Sequence, residues 1–300
     1  MIHTILYEGI KVFLYFVIGY FIKKYKVLNE QIISVLRNLI INVTIPLILF
    51  TSFYKINFLK EGPSLLVMIA GVFIYYGLTF VIGWVIERRN LLSKAAIPVV
   101  RYCTMFGNVV FWGYPICYAL FGDEGIVHAT LFVVIQNILK WSVGVSFFKH
   151  NREKHSLEIN LSIMAMAIGL VANITQIQIP VFALRTIDKL GDITIPMGLI
   201  ITGTSLYAST NRKWLRDSAL WIIVVIKCIA VPFVFMLFIS QIDVSITVRG
   251  VLLIQVFAPV HASSPLFIAY QKGDEQLASK AVLVSTFISM IMIIILTKFL

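Results

Sequence analysis

The sequence predicts an all-α polytopic membrane protein of ten transmembrane helices, and three observations carry that expectation. Hydrophobic residues fill 59% of the 300 positions and charged residues only 13%, against about 25% charged in an ordinary soluble domain. The mean hydropathy of +0.93 is distributed over separate apolar runs of crossing length. Short motifs also recur at half the chain length. About ten crossings of roughly 20 residues each use some 200 positions and leave about 100 for connections. Such a chain cannot clothe a soluble enzyme or a DNA-binding domain, and it is too apolar for a disordered tail.

The apolar runs fall at 4–22, 32–53, 64–86, 96–120, 125–148, 158–175, 190–209, 218–239, 246–270 and 276–297. The count is least certain at 176–192, where Arg185, Asp188 and Lys189 suggest an amphipathic stretch lying in the interface. The odd-numbered connections hold fourteen basic residues (Lys23, Lys24, Lys26; Arg88, Arg89, Lys94; Lys149, Arg152, Lys154; Arg212, Lys213, Arg216; Lys272, Lys280). The even ones hold five: Lys55, Lys60, Arg185, Lys189 and Arg249. Positive charge gathers on the cytoplasmic side, which places the odd loops inside and both termini outside a multi-pass cytoplasmic-membrane protein. The formal net charge of +11 is dispersed between apolar runs instead of clustered on one face, so no nucleic-acid partner is expected. Cys103, Cys117 and Cys228 show neither a pairing pattern nor metal spacing. The first run leads into Lys23-Lys24-Tyr25-Lys26 and not into a cleavage site.

Asn42-Val43-Thr44-Ile45-Pro46-Leu47 resembles Asp192-Ile193-Thr194-Ile195-Pro196-Met197, 150 residues later. Pro115 and Pro265 share that displacement, and Gly122-Asp123-Glu124 reappears as Gly273-Asp274-Glu275. The second run then matches the seventh and the fourth matches the ninth, which makes the unit five helices: residues 1–150 and 151–300. An odd number of crossings forces the second copy to enter from the opposite side, so the halves are expected to be inverted. Scaffold and transport parts would each be drawn from both copies. Secondary transporters of this design place their site at the midplane between the repeats.

Helix breakers gather at matching places. The fourth run contains Gly107-Asn108-Val109-Val110-Phe111-Trp112-Gly113-Tyr114-Pro115, and the ninth contains Pro259-Val260-His261-Ala262-Ser263-Ser264-Pro265. Proline removes a helical hydrogen bond and clashes with the carbonyl one turn back. In hydrocarbon the freed groups must be satisfied by protein or a wet cavity. Two broken helices crossing near the midplane are therefore expected, with half-helix N-termini offering a site for an anion. Pro232 has no counterpart at Ile82 and reads as a plain kink.

Charge within the runs is sparse. Glu8 and Lys11 lie three apart on one face and pair locally. Lys227 lies about 15 Å from the cytoplasmic edge at 1.5 Å per residue. Lys140 shares one helical face with Gln136 and Asn137, beside Trp141. Two amides and a cation within one turn suit a carboxylate, and a core rich in donors favours an anion over a cation. His261 reads either as a proton-sensitive group or as a satisfied polar residue. No phosphate loop, H-E-x-x-H helix or G-x-S-x-G elbow occurs, and no enzyme is expected. A Ser–His pair drawn from His261 with Ser263 or Ser264 lacks an orienting acid.

Taken together, these residues resemble the auxin efflux carrier family, which includes malate permease-like bacterial proteins. The resemblance rests on Asn42…Pro46-Leu47…Phe50, Asn108…Gly113-Tyr114-Pro115…Phe121-Gly122 and Asn137…Trp141…Gly144. Thr194-Ile195-Pro196…Gly203-Thr204-Ser205-Leu206 and Pro265…Gly273-Asp274…Ala278-Ser279…Ser285-Thr286 extend it over nearly the whole chain. It implies an elevator-like secondary carrier of organic anions, working as a homodimer. It also puts Asn108 and Pro115 in the crossover, and Gln136 and Asn137 in the stretch that meets substrate. Val110-Phe111 stands where many members have Gly-Phe, and the short fifth connection sets auxin aside as the native substrate. The candidate substrate-binding residues are Asn42, Asn108, Tyr114, Pro115, Gln136, Asn137, Lys140, Pro259, His261, Ser263 and Pro265. No cofactor is expected, and a coupling proton or Na⁺ is left open. The rival readings are a passive anion channel on the same scaffold and an intramembrane enzyme.

Overall fold

A computed structural model of the chain describes residues 10, 14–15, 17–55, 63–89, 92–148, 161–207 and 217–296. Glu8, Lys11 and the loop residues Lys60, Lys149, Arg152, Lys154, Arg212, Lys213 and Arg216 lie outside them. Among the described residues all regular structure is helical, and extended backbone pairs at a single antiparallel bridge, Gly107 with Val260. The helices are α1 (Glu30–Lys55), α2 (Pro63–Arg88), α3 (Ala96–Met105), α4 (Tyr114–Leu139), α5 (Leu161–Ile174), α6 (Val181–Asp192), α7 (Thr194–Tyr207), α8 (Ser218–Ile239), α9 (Ile246–Val256), α10 (Ser264–Tyr270) and α11 (Glu275–Leu296).

Among the described residues, three helices are long and apolar enough to cross a membrane: Glu30–Lys55, Ser64–Arg88 and Ser218–Ile239, with mean hydropathies of 2.0, 2.4 and 2.9. Helix α2 buries Met68, Val72, Tyr75 and Tyr76 while turning Leu66, Phe73 and Trp84 outward. A helix apolar on every side loses free energy in water and belongs in hydrocarbon. Helix α11 also runs unbroken over 22 residues, Glu275–Leu296, and the remaining apolar runs are shorter or interrupted. The 176–192 stretch contains the amphipathic α6, whose twelve residues extend about 18 Å and fall short of a bilayer core of about 30 Å. It packs on α1, with Gly191 against Ile48 and an ion pair of 2.6 Å between Lys55 and Asp188.

Among the described residues, single π-turns occur at Ile40–Thr44, Val109–Gly113, Lys140–Gly144 and Ile226–Ala230. Three of them end two residues before a proline: Pro46, Pro115 and Pro232. A proline ring cannot approach the carbonyl four residues back, and widening the preceding turn by one residue relieves that clash. The lone proline read as a kink, Pro232, therefore has a local deformation of the same kind as the repeat-related ones.

Helix α1 packs along α5, where Gly169 lets the helices close onto the backbone of Phe50. The motif 42–47 meets the motif 192–197 directly, for the buried Thr194 and Thr44 hydroxyls hydrogen-bond at 2.7 Å across 150 residues of sequence. Helices α2, α3, α4, α8, α9 and α11 form a second assembly around the bridged segments. An Arg37–Glu275 ion pair of 2.6 Å joins the start of α11 to α1.

Candidate functional site

Helix α3 stops at Met105 because the next residues do not continue it. Phe106 is extended (φ −101°, ψ 123°) and Asn108 lies outside the helical region (φ −81°, ψ 60°). After a π-turn the chain resumes as α4, with Pro115 in its first turn, where a missing N–H costs nothing. The run Tyr114–Leu139 is itself bent at Gly122 (φ 58°, ψ −143°), a conformation that side chains exclude. In the later half, α9 ends at Val256, and α10 begins at Ser264 with Pro265 in its first turn.

The two irregular segments lie against each other. The Asn108 N–H donates to the Pro259 carbonyl at 2.8 Å, and the His261 N–H donates to the Phe106 carbonyl at 3.1 Å. Side chains from neighbouring helices satisfy what remains. Gln136 is matched to one peptide unit: its Oε1 accepts from the Gly107 N–H (3.0 Å) and the Tyr76 hydroxyl (2.8 Å), while its Nε2 donates to the Gly107 carbonyl (2.9 Å). Ser285 of α11 accepts from the Val260 N–H at 3.0 Å. Buried backbone groups are thus paired as low-dielectric surroundings require.

Two lysines approach this bridge. Lys140, 5% exposed, lines a narrow cleft with Trp141, Ser263, Phe267 and Tyr270 of one assembly and Ile41 and Ile45 of α1. The cleft is nearly closed, with a free volume of about 10 Å³, room for one water-sized group. Trp141 and Phe267 meet edge-on with ring centroids 5.3 Å apart, and Phe267 stacks on Tyr102. Lys227, 1% exposed, lies behind Gly107 and donates to the Tyr75 hydroxyl at 2.5 Å. Among the described residues neither lysine has a carboxylate partner. No group of three or more metal-ligating side chains occurs among them either.

The expected site residues divide by what they touch. Asn108, Pro259 and His261 belong to the bridged segments, while Lys140 and Ser263 line the cleft. The Ser263 hydroxyl sits 2.9 Å from His261 Nδ1, but no carboxylate orients that ring among the described residues, as a hydrolytic triad would need. Pro115 and Pro265 set helix starts. Tyr114 donates from its hydroxyl to Thr130 at 3.0 Å, and Asn137 is buried on α4. Gln136 is engaged with Gly107, and Asn42 is exposed on α1, although its neighbour Ile41 lines the cleft. Asn108 Oδ1, Ser264 Oγ and both amide atoms of Gln255 are buried without a hydrogen-bond partner among the described residues. The sequence reading did not single out Tyr75, Tyr76, Gln255 or Ser285 as site residues. The adjacent mid-run tyrosines were the one signal for the first two.

A family model described as membrane transport protein matches residues 4–162 and 159–297. An uncharacterized transporter of Methanocaldococcus jannaschii is 24% identical over 289 residues, covering 92% of each chain. An uncharacterized transporter of Methanothermobacter thermautotrophicus is 27% identical over 207 residues, covering 67% of this chain and 66% of its own. With the family matched across the chain, and an apolar helical fold around its bridged core, the protein belongs to the membrane transport protein family of auxin efflux carriers and is a transporter.

Proposed function

We propose that the protein is a secondary carrier that moves a small organic anion, a carboxylate, across the cytoplasmic membrane by an elevator-like alternation of access. The observation that carries this reading is the bridge between the two helix interruptions, with buried Lys140 and Lys227 beside it and no carboxylate paired to either among the described residues. A cationic core of this kind attracts an anion and repels a metal ion or an organic cation. The reading includes ten crossings in two inverted five-helix repeats, 1–150 and 151–300, with both termini outside and two copies per assembly. The Thr44–Thr194 contact supports the inversion, since equivalent residues meet at a pseudo-two-fold axis. Lys140, Ser263, His261 and Asn108 would face the ligand. Gln136, Asn137, Tyr114, Pro115, Pro259 and Pro265 shape the crossover around it, and Asn42 meets it from α1 only after a displacement.

A negative-inside potential favours exit of a monovalent anion by about 2.3 kcal/mol per 100 mV, so uptake against it would need a co-transported cation. The test is counterflow in proteoliposomes: labelled malate outside should enter faster when unlabelled malate is inside, and the flux should saturate. Flux that neither saturates nor responds to substrate on the far side would make the protein a channel. Absence of flux for malate, malonate and related carboxylates would defeat the anion reading. Asn108→Ala should lower transport without lowering membrane abundance, and the Ser263→Ala/Ser264→Ala double variant should weaken transport without abolishing it, as loss of ligand contacts does and loss of a hydrolytic serine would not.

A further inference from the structure

Lys227 is buried yet takes no part in the cleft. It sits in the π-turn Ile226–Ala230 of α8, and its ammonium donates to the Tyr75 hydroxyl. That hydroxyl in turn donates to the carbonyl of Met105, the last residue of α3, at 3.3 Å. On its other side is the crossover itself: a β-carbon added to Gly107 would stand 2.9 Å from Lys227 Nζ. The charge is therefore pressed against the back of the bridged backbone.

A lone buried ammonium is costly, and in membrane proteins such a group faces a cavity, a partner or an ion pathway. Among the described residues no carboxylate pairs with it. What offsets its burial is dipolar: the Tyr75 hydroxyl that accepts from the ammonium and, through it, the C-terminal end of α3, which carries partial negative charge. Dipoles hold a cation without cancelling its field. The two ammonium groups flank the same bridged segments, Lys140 from the cleft beside Ser263 and Lys227 from behind Gly107.

We propose that Lys227 is a specificity-determining charge: it never touches the transported species, and it selects for negative charge through the thickness of the crossover. The inference rests on the anion-carrier reading above. It assigns the anion preference to two cations of different kinds, one that contacts the ligand and one that does not. Coulomb attraction between buried charges falls only slowly with distance and remains substantial at low effective dielectric. A second-layer cation can therefore discriminate an anion from a neutral molecule of the same shape.

The experiment compares malate with its uncharged diamide, by binding to the purified protein and by counterflow. In the wild type malate should bind far better than the diamide. Lys227→Met should lower the malate-to-diamide affinity ratio about tenfold or more, through weaker malate binding with diamide binding unchanged. Tyr75→Phe keeps the cation and should leave the ratio within about threefold of wild type. A merely structural role would reduce active protein and lower both fluxes together without moving the ratio, and that result would overturn the proposal. Wild-type protein supplies a test that needs no variant. A charge this deep is screened little by salt, so the ratio should hold between low and high ionic strength, and a steep fall would assign the selection to exposed charges. Wild-type protein that neither binds nor moves any carboxylate would refute the anion reading itself, whereas unaltered selectivity in Lys227→Met beside normal wild-type transport refutes only the role of Lys227.

Discussion

The Gln136 amide offers the sharpest separation between holding the crossover and holding the ligand. Gln136→Met preserves length and bulk, so no large cavity opens, but it leaves the Gly107 N–H, the Gly107 carbonyl and the Tyr76 hydroxyl facing a thioether. An orphaned buried polar group costs about 1–3 kcal/mol, and three together reach roughly 3–9 kcal/mol. The lower part of that range is expected, about 3–5 kcal/mol, because the Tyr76 hydroxyl can rotate and water can reach part of an open crossover. Even that is a large share of the 5–15 kcal/mol or so that holds a typical fold together. The assay is unfolding of the purified, ligand-free protein, with the exposed Ser142→Ala as control. A bracing role predicts that the Gln136→Met protein unfolds at a distinctly lower temperature before any substrate is added. Ligand-free stability equal to wild type, combined with lost malate binding, would refute the reasoning and return the amide to the ligand.

Three further substitutions probe the same region. Gly107→Ala forces Lys227 away from Tyr75 and should cost about 1–3 kcal/mol by overpacking; adding Lys227→Met should recover stability in thermal unfolding without restoring counterflow. Ser285→Ala strips the Val260 N–H of its partner and should destabilise by about 1–2 kcal/mol, whereas Ser285→Thr, which keeps the hydroxyl, should unfold close to wild type. Thr44→Val and Thr194→Val remove either end of one buried hydrogen bond, and a double-mutant cycle on unfolding should show coupling of about 0.5–1.5 kcal/mol; strict additivity would show the two hydroxyls to be independent.

What the residues revealed in advance was whatever depends on local chemistry. Gly107, Asn108 and Pro115 in one apolar run, and Pro259, Ser263 and Pro265 in another, are helix breakers legible from residue type, and regular helix stops beside them at Met105 and Val256. Lys140, Gln136 and Asn137 share a helical face and were legible as a polar patch. Their partners were not legible. Gln136 reads in sequence as a free donor and acceptor, and only the fold brings Gly107, 29 residues away, into register with its amide. The Lys227–Tyr75 contact spans 152 residues and leaves no trace in either segment. Asn42 shares a repeated motif with Asp192, yet its side chain is exposed on α1 while the apolar Ile41 and Ile45 line the cleft. Motif matching detects a backbone register and says little about which side chain of the motif is presented inward.

Hydrogen-bond capacity also orders the polar groups by availability. The Gly107 peptide is held at both ends by Gln136, the Val260 N–H by Ser285, and the bridge supplies the partners of Asn108 N–H and His261 N–H. The backbone of both interruptions is therefore stabilised before any ligand arrives. Asn108 Oδ1 and Ser264 Oγ are left over, buried and unpartnered among the described residues, and in a membrane core each such group costs free energy until water or a ligand meets it. A group already committed to the protein gains nothing when substrate binds, whereas an unspent one gains a hydrogen bond. Two amides of the same chemistry, Gln136 and Asn108, thus differ in what they have left: the first is spent on the Gly107 peptide, whereas the Oδ1 of the second, like the Gln255 amide, has no partner among the described residues.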